Sequence, residues 1–145
     1  MPRALMLTGD AVDRGARVRT GGHPLDRPGW FYAPTVIDRV APGSAMLQEE
    51  VFGPVAPVIA FEDTDQAIDM ANDTEHGLVA YVYTRDLRRG MRVGEAVDAG
   101  MVGLNRGVVS DPAAPFGGIK QSGIGREGGR HGLREFLEPK YFSID

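Results

Sequence analysis

Between Val55 and Leu104 strand-like and helix-like segments alternate, and this alternation limits the possible folds more than any other feature of the sequence. Val55 to Phe61 is apolar and strand-like. Asp63 or Thr64 then offers an N-cap for a helix with Ala67, Ile68 and Ala71 on one face. Val79 to Tyr83, rich in β-branched and aromatic residues, reads as a second strand. Asp86 can cap a helix from Leu87 to Val97 that stops near Gly100, and Met101 to Leu104 supplies a third strand. Strand, helix, strand, helix, strand implies a parallel sheet joined by right-handed crossovers. The expected fold class is α/β, with a mostly parallel sheet flanked by helices.

The flanks follow other rules. Asp10 to Gly15 reads as the tail of a helix, closed by Gly15 at a C-cap position. Arg17 to Thr20 and Phe31 to Ile37 read as two extended segments of a long hairpin, separated by Gly21-Gly22 and the Pro24 to Gly29 stretch. Pro34 interrupts the second segment, which places that strand at an edge or on a bulge. From Arg106 to Gly128 glycine and proline recur in irregular order over a stretch longer than a connector needs, and such loops are usually functional or disordered. A helix from about Gly129 to Leu137 and a strand from Lys140 to Ile144 close the chain.

Composition removes several function classes. The chain has 145 residues, enough for one domain and few for two. Sixteen Lys and Arg against twenty Asp and Glu give a net charge of −4, so nothing in the charge argues for nucleic acid. No apolar run approaches the ~18 residues of a membrane span. The opening MPRALMLTG has only Ala4 to Leu7 as an apolar stretch, short for a signal-peptide core. A soluble, cytoplasmic domain is expected. Cysteine is absent, which excludes disulfides, thiolate metal sites and a cysteine nucleophile within these residues.

Several motifs invite chemistry. Gly123-Ile-Gly125-Arg-Glu-Gly128 matches the dinucleotide fingerprint G-x-G-x-x-G, but a glycine-rich loop precedes it where a strand is required, so it reads as a turn and helix entry. His23, His76 and His131 are far apart and lack metal-ligand spacing, so no metal site is expected. No serine sits in a G-x-S-x-G elbow. Lys120 and Arg126, lone basic residues in a glycine loop, are expected in solvent. Adjacent glutamates such as Glu49 and Glu50 are ordinarily solvated too. Here, however, they run directly into Val51-Phe52-Gly53-Pro54-Val55. A carboxylate that accepts hydroxyl protons and an aromatic ring with a flat face can share one site there.

EEVFGPV, NDTEHGLVAYVYTRD and APFGGIKQSGIGREGG resemble the C-terminal third of the aldehyde dehydrogenase superfamily. NRGVVS followed by APFGGIKQSGIGREGGRHGLREFLEPKY is most similar to its succinate-semialdehyde branch. Residues 1–9 stand outside the resemblance, and residues 10–145 are expected to be the C-terminal part of a catalytic and oligomerisation region. The resemblance implies that Glu50 holds the hydroxyls of the nicotinamide ribose and that Phe52 packs near the nicotinamide ring. It further implies that Ser110 helps to bind the far carboxylate of the substrate and that Phe116 lies beside the substrate tunnel. The segment around Lys140 to Ile144 resembles one used in subunit assembly, which implies a homo-oligomer in the complete enzyme.

In that family a thiolate attacks the aldehyde, hydride passes to NAD or NADP, and water hydrolyses the thioester with help from a glutamate. The cysteine, that glutamate, the oxyanion-hole asparagine and the cofactor-binding domain belong upstream of the matched region. No catalytic residue is therefore assigned within this sequence. The expected function is that of a C-terminal fragment of an NAD(P)-dependent aldehyde dehydrogenase, inactive alone, whose substrate is an aldehyde such as succinate semialdehyde. The alternative is a non-catalytic α/β module or assembly subunit without a nucleophile.

Overall fold

A stripe of small and apolar residues at helical spacing organises the first of the two units into which the chain divides, the one ending at Glu62. In the computed structural model, which describes Pro2–Asp145, α1 (Pro2–Asp13) buries Ala4, Leu7, Thr8 and Ala11 along one face. The helix closes in a Schellman arrangement on Gly15, as expected. Gly15 adopts φ +100° and donates its N–H to Val12 O at 2.9 Å, and Ala16 N–H donates to Ala11 O at 2.9 Å. The helix runs unbroken through residues 9 and 10, so no structural boundary falls between them.

β1 (Arg17–Thr20) pairs antiparallel with β2 (Thr35–Asp38), and β2 pairs parallel with β3 (Val55–Val58). The expected hairpin forms, but its second strand starts only at Thr35. Pro34 stands just before the ladder, where no strand N–H is needed, and β2 is the central strand of three rather than an edge. The irregularity falls instead in the outer strand β1, where the register shifts between Val18 and Thr20. Arg19 Nε donates to Asp38 Oδ2 at 2.6 Å across this pair and holds the Asp38 carboxyl below its ordinary value.

α2 (Ala45–Gln48) lies in the β2–β3 connection. Its Ala45 N–H donates to Asp10 Oδ2 of α1 at 2.8 Å. Arg14 also bonds Asp10, at 2.9 Å, and these two donors, Arg14 first, keep that carboxyl below its ordinary value. Leu7, Ala11, Ala16, Ile37, Val40 and Met46 form the buried cluster of this unit.

The second unit starts at Asp63. Asp63 caps α3 (Thr64–Asn72) by accepting from Gln66 N–H at 2.9 Å. The two-residue β4 (His76–Gly77) and then β5 (Val79–Val82) follow. Asp86 caps α4 (Leu87–Ala96) with two bonds, from Arg88 and Arg89 N–H at 2.9 and 3.2 Å. β6 (Met101–Leu104) then runs parallel to β5, with Val79 opposite Met101. α4 lies close over one face of this pair. A Cβ built on Gly90 would stand 2.7 Å from Leu104, and one on Gly94 3.5 Å from Val102.

Both caps and all three strands of the alternating stretch are where the sequence places them, yet they do not make one ladder. β3 takes its parallel partner from β2, and β5 takes its partner from β6. Alternation identifies strands but not which edges meet. Residues 39–54, with α2 inside them, are long enough for a parallel crossover between β2 and β3.

β7 (Ile119–Lys120) pairs antiparallel with β4, and α5 (Gly129–Arg134) ends at Arg134 rather than Leu137. Lys140 to Ile144, expected as an assembly strand, is not a strand. A strand exists as a hydrogen-bonded ladder, and among the described residues no edge pairs with this segment. Tyr141, Phe142 and Ile144 are accordingly exposed. No helix among the described residues is long and apolar enough to cross a membrane.

Candidate functional site

In the first unit the residues of interest stand on the turn that follows α2. Phe52 N–H donates to Glu50 O at 3.1 Å, Gly53 N–H to Val51 O at 2.9 Å and Val55 N–H to Gly53 O at 2.9 Å. These successive two-residue bonds wind the segment tightly. Thr35 N–H donates to Pro54 O at 2.8 Å and ties the turn to the start of β2. Val51 packs on the buried cluster, whereas Glu50 on one side of it and Phe52 on the other are exposed, Phe52 to 84%.

The two glutamates differ. Glu49 Oε2 accepts from Arg3 Nη2 at 2.8 Å, while the Glu50 side chain has no hydrogen-bond or ion-pair partner among the described residues. A carboxylate that is to accept two ribose hydroxyls must be free of competing donors, and Glu50 meets that condition where Glu49 does not. Its neighbour Phe52 offers an uncovered ring face. These residues fit the riboside half of a nicotinamide cofactor.

In the second unit Ser110 and Phe116, singled out separately in the sequence, line one cleft of about 370 Å³ with Asp111, Pro112, Glu127 and Gly128. Phe116 is held there by its backbone, which exchanges hydrogen bonds with Glu127 at 2.7 and 2.8 Å. Asp111 Oδ1 accepts from Ala113 N–H at 2.9 Å and shapes the turn after Ser110. Gly128, at φ +72°, lets the chain pass close to this turn, since a Cβ there would lie 2.8 Å from Ala114 O. The charged side chains on the lining are Asp111 and Glu127, both acidic. Glu127 was not foreseen as part of this wall. In the sequence it is merely the variable position of a glycine turn, and only the Phe116–Glu127 bridge brings it to the cleft.

The G-x-G-x-x-G match is a turn, as read. Gly123, Gly125 and Gly128 adopt φ of +108°, +84° and +72°, and the strand before them is the antiparallel, two-residue β7 rather than part of a parallel unit. Lys120 is exposed, as expected, though bonded, whereas Arg126 is half-buried and departs from expectation. Lys120 Nζ donates to the carbonyls of Asn72 and Thr74 at 3.0 and 3.2 Å and pairs with Asp98 at 3.1 Å. Arg126 Nη1 donates to the carbonyls of Gly118 and Gly125, both at 2.7 Å. Asn72 O already accepts from Thr74 N–H at 2.8 Å, and Lys120 adds a second donor to it, while Arg126 supplies donors to the carbonyls of the glycine loop.

The model of the aldehyde dehydrogenase family, matched by this sequence, covers residues 3–142. A succinate-semialdehyde dehydrogenase from Paenarthrobacter nicotinovorans is 53% identical over 92% of this chain and 30% of its own length. An NADP(+) succinate-semialdehyde dehydrogenase from Escherichia coli strain K12 is 50% identical over 93% of this chain and 28% of its own. Among solved structures, succinate-semialdehyde dehydrogenase from Burkholderia pseudomallei superposes with a TM-score of 0.90 at 44% identity, over 93% of this chain and 28% of that one. The chain thus spans about three tenths of the length of these relatives. With a family match over nearly its whole length, the chain belongs to the aldehyde dehydrogenase family.

Proposed function

We propose that these residues form the C-terminal part of an NAD(P)-dependent aldehyde dehydrogenase that oxidises an aldehyde bearing a distal carboxylate, succinic semialdehyde foremost, to the carboxylic acid. The observation that carries the reading is that Ser110 and Phe116 line one cleft in a chain of this family. Names of similar proteins supply the substrate and the cofactor.

When bound, NAD or NADP accepts the hydride of the aldehyde. Glu50 would accept hydrogen bonds from the ribose hydroxyls, and Phe52 would help to hold the nicotinamide end. Phe116 walls the substrate cleft, and the Ser110 hydroxyl donates to the distal carboxylate. Asp111 and Glu127 repel that carboxylate, so the balancing cation comes from outside the cleft lining. The attacking thiol also comes from outside these residues, because the sequence holds no cysteine. The exposed Tyr141, Phe142 and Ile144 belong to subunit assembly in the complete enzyme, which is read as a cytoplasmic homo-oligomer.

A chimera in which residues 3–142 replace the matched stretch of the Paenarthrobacter nicotinovorans relative tests this reading. It is expected to form NADH or NADPH with succinic semialdehyde, and the isolated chain to form none. A folded chimera that oxidises only uncharged aldehydes removes the substrate assignment. A folded but inert chimera supports the second reading, a non-catalytic assembly module.

A further inference from the structure

α1 and the segment from Ala45 to Gly53 run alongside each other in opposite directions, and four contacts mark the path. Asp10 Oδ2 accepts from Ala45 N–H at 2.8 Å. Leu7 and Met46 share the buried cluster. Arg3 Nη2 donates to Glu49 Oε2 at 2.8 Å, and a Cβ on Gly53 would stand 3.3 Å from that of Ala4. Residues 3, 4, 7 and 10 follow helical spacing and so share one face of α1. The turn that carries Glu50 and Phe52 starts directly after α2 and is thus flanked by α1 at both ends.

α2 cannot fix that turn by itself. Its four residues are fewer than a helix needs to hold its own shape. Ser44 stands at the N-cap with extended backbone and is of the type that ordinarily caps from there, yet its buried hydroxyl makes no hydrogen bond among the described residues. The acceptor comes instead from Asp10, 35 residues away in sequence. Arg14 bonds the other oxygen of that carboxylate, Oδ1, at 2.9 Å and leaves Oδ2 to Ala45. The Arg3–Glu49 pair is exposed at both side chains, and such pairs contribute little. The polar part of the anchor therefore falls to Asp10.

We infer that Asp10 is a positioning residue for the cofactor: by capping α2 from α1 it sets where Glu50 and Phe52 stand, and with them the nicotinamide riboside. Glu50 lies two residues past the end of α2, so a displacement of α2 carries it along. The Glu50 side chain has no partner of its own among the described residues, and its place is therefore set by the backbone it stands on. A carboxylate that meets two hydroxyls of one ribose tolerates little displacement. The inference rests on the functional reading above for the roles of Glu50 and Phe52, and its test separates the two.

Residues 3–142, set in place of the matched stretch of the Escherichia coli NADP(+) relative, carry the substitutions, and NADPH is titrated by its fluorescence without aldehyde. Asp10→Ala is expected to weaken NADPH binding about fivefold, the equivalent of a lost cap, while cofactor-free hydrolysis of an activated ester is unchanged. Asp10→Asn, whose side-chain carbonyl still accepts from Ala45 N–H, restores most of the affinity. Ser44→Ala, which removes no bond, leaves it unchanged. In the free chain, amides of residues 45–53 exchange faster in Asp10→Ala than in Asp10→Asn. Should Asp10→Ala not fold, Asp10→Glu, which keeps the charge but sets the carboxylate one methylene farther out, is expected to weaken NADPH binding in the same assay. Unchanged NADPH affinity, a loss that Asp10→Asn does not reduce, or a parallel fall in ester hydrolysis overturns the inference. Weakened NADPH binding in a chimera that does not oxidise succinic semialdehyde keeps Asp10 in its role and removes the functional reading.

Discussion

Glu49 and Glu50 carry the same side chain and stand side by side, yet their surroundings give them different work. Arg3 occupies the first, and the second keeps its oxygens free beside the exposed Phe52 ring. In the chimeric enzyme Glu50→Gln should therefore impair hydride transfer while leaving thiol acylation by an activated ester largely intact. The amide has one acceptor oxygen and no charge for the ribose hydroxyls, and transfer depends steeply on how donor and acceptor are positioned. Stopped-flow NADPH formation and cofactor-free ester hydrolysis, run side by side, check this. A parallel fall in both assigns Glu50 to the fold instead. Ser110→Ala tests the cleft of the second unit. A hydrogen bond to a charged group contributes about 1.5–3 kcal/mol, so kcat/KM for succinic semialdehyde should fall roughly tenfold to hundredfold. An uncharged aldehyde of similar length should be little affected, and equal losses for both remove Ser110 from the carboxylate site. Ser110 and Phe116 are six positions apart in a loop whose path no periodicity describes, so their shared cleft emerged only with the Phe116–Glu127 bridge.

Helix starts were the most legible elements, because a cap is a local event. Asp63 and Asp86 each precede a helical run by one residue, and each accepts the backbone bonds its position requires. Asp86 satisfies two N–H groups and Asp63 one, so Asp86→Ala should destabilise the second unit by about 1–2 kcal/mol and Asp63→Ala by about 0.5–1 kcal/mol. Urea titration followed by circular dichroism measures the difference, and a larger loss at Asp63 contradicts this ranking. Strand pairing was less legible, because it is settled by edges distant in sequence. The alternation from Val55 to Leu104 is consistent with one three-stranded ladder, but Thr35–Asp38 arrives from the hairpin and takes the β3 edge. The final strand was unreadable for the same reason. Tyr141, Phe142 and Ile144 have strand-forming side chains, but among the described residues no strand edge pairs with them. Arg126 shows the complementary failure, since the Gly118 and Gly125 carbonyls it satisfies are brought together only by the path of the loop.

The buried apolar residues are unevenly shared between the two units. Ala4, Leu7, Ala11, Ala16, Tyr32, Ala33, Ile37, Val40 and Met46 lie in the first, whereas Ile68 alone represents the second among the described residues. Local stability follows buried apolar contact, so the units should open with different free energies. Amides of β2 should exchange slowest in the chain and those of β5 and β6 markedly faster, although both sets are paired in ladders. Ile37 has no exposed surface, and Ile37→Ala should cost about 2–5 kcal/mol by leaving a cavity. Exchange in β5 and β6 should barely change in the same variant, because they lie in the second unit, whose protection is limited by its scant buried apolar surface. Hydrogen exchange read by mass spectrometry on the free chain decides the matter. Equal protection of β2 and β5 shows that the second unit is stabilised by something other than apolar burial, and the ranking of the two units by burial then fails.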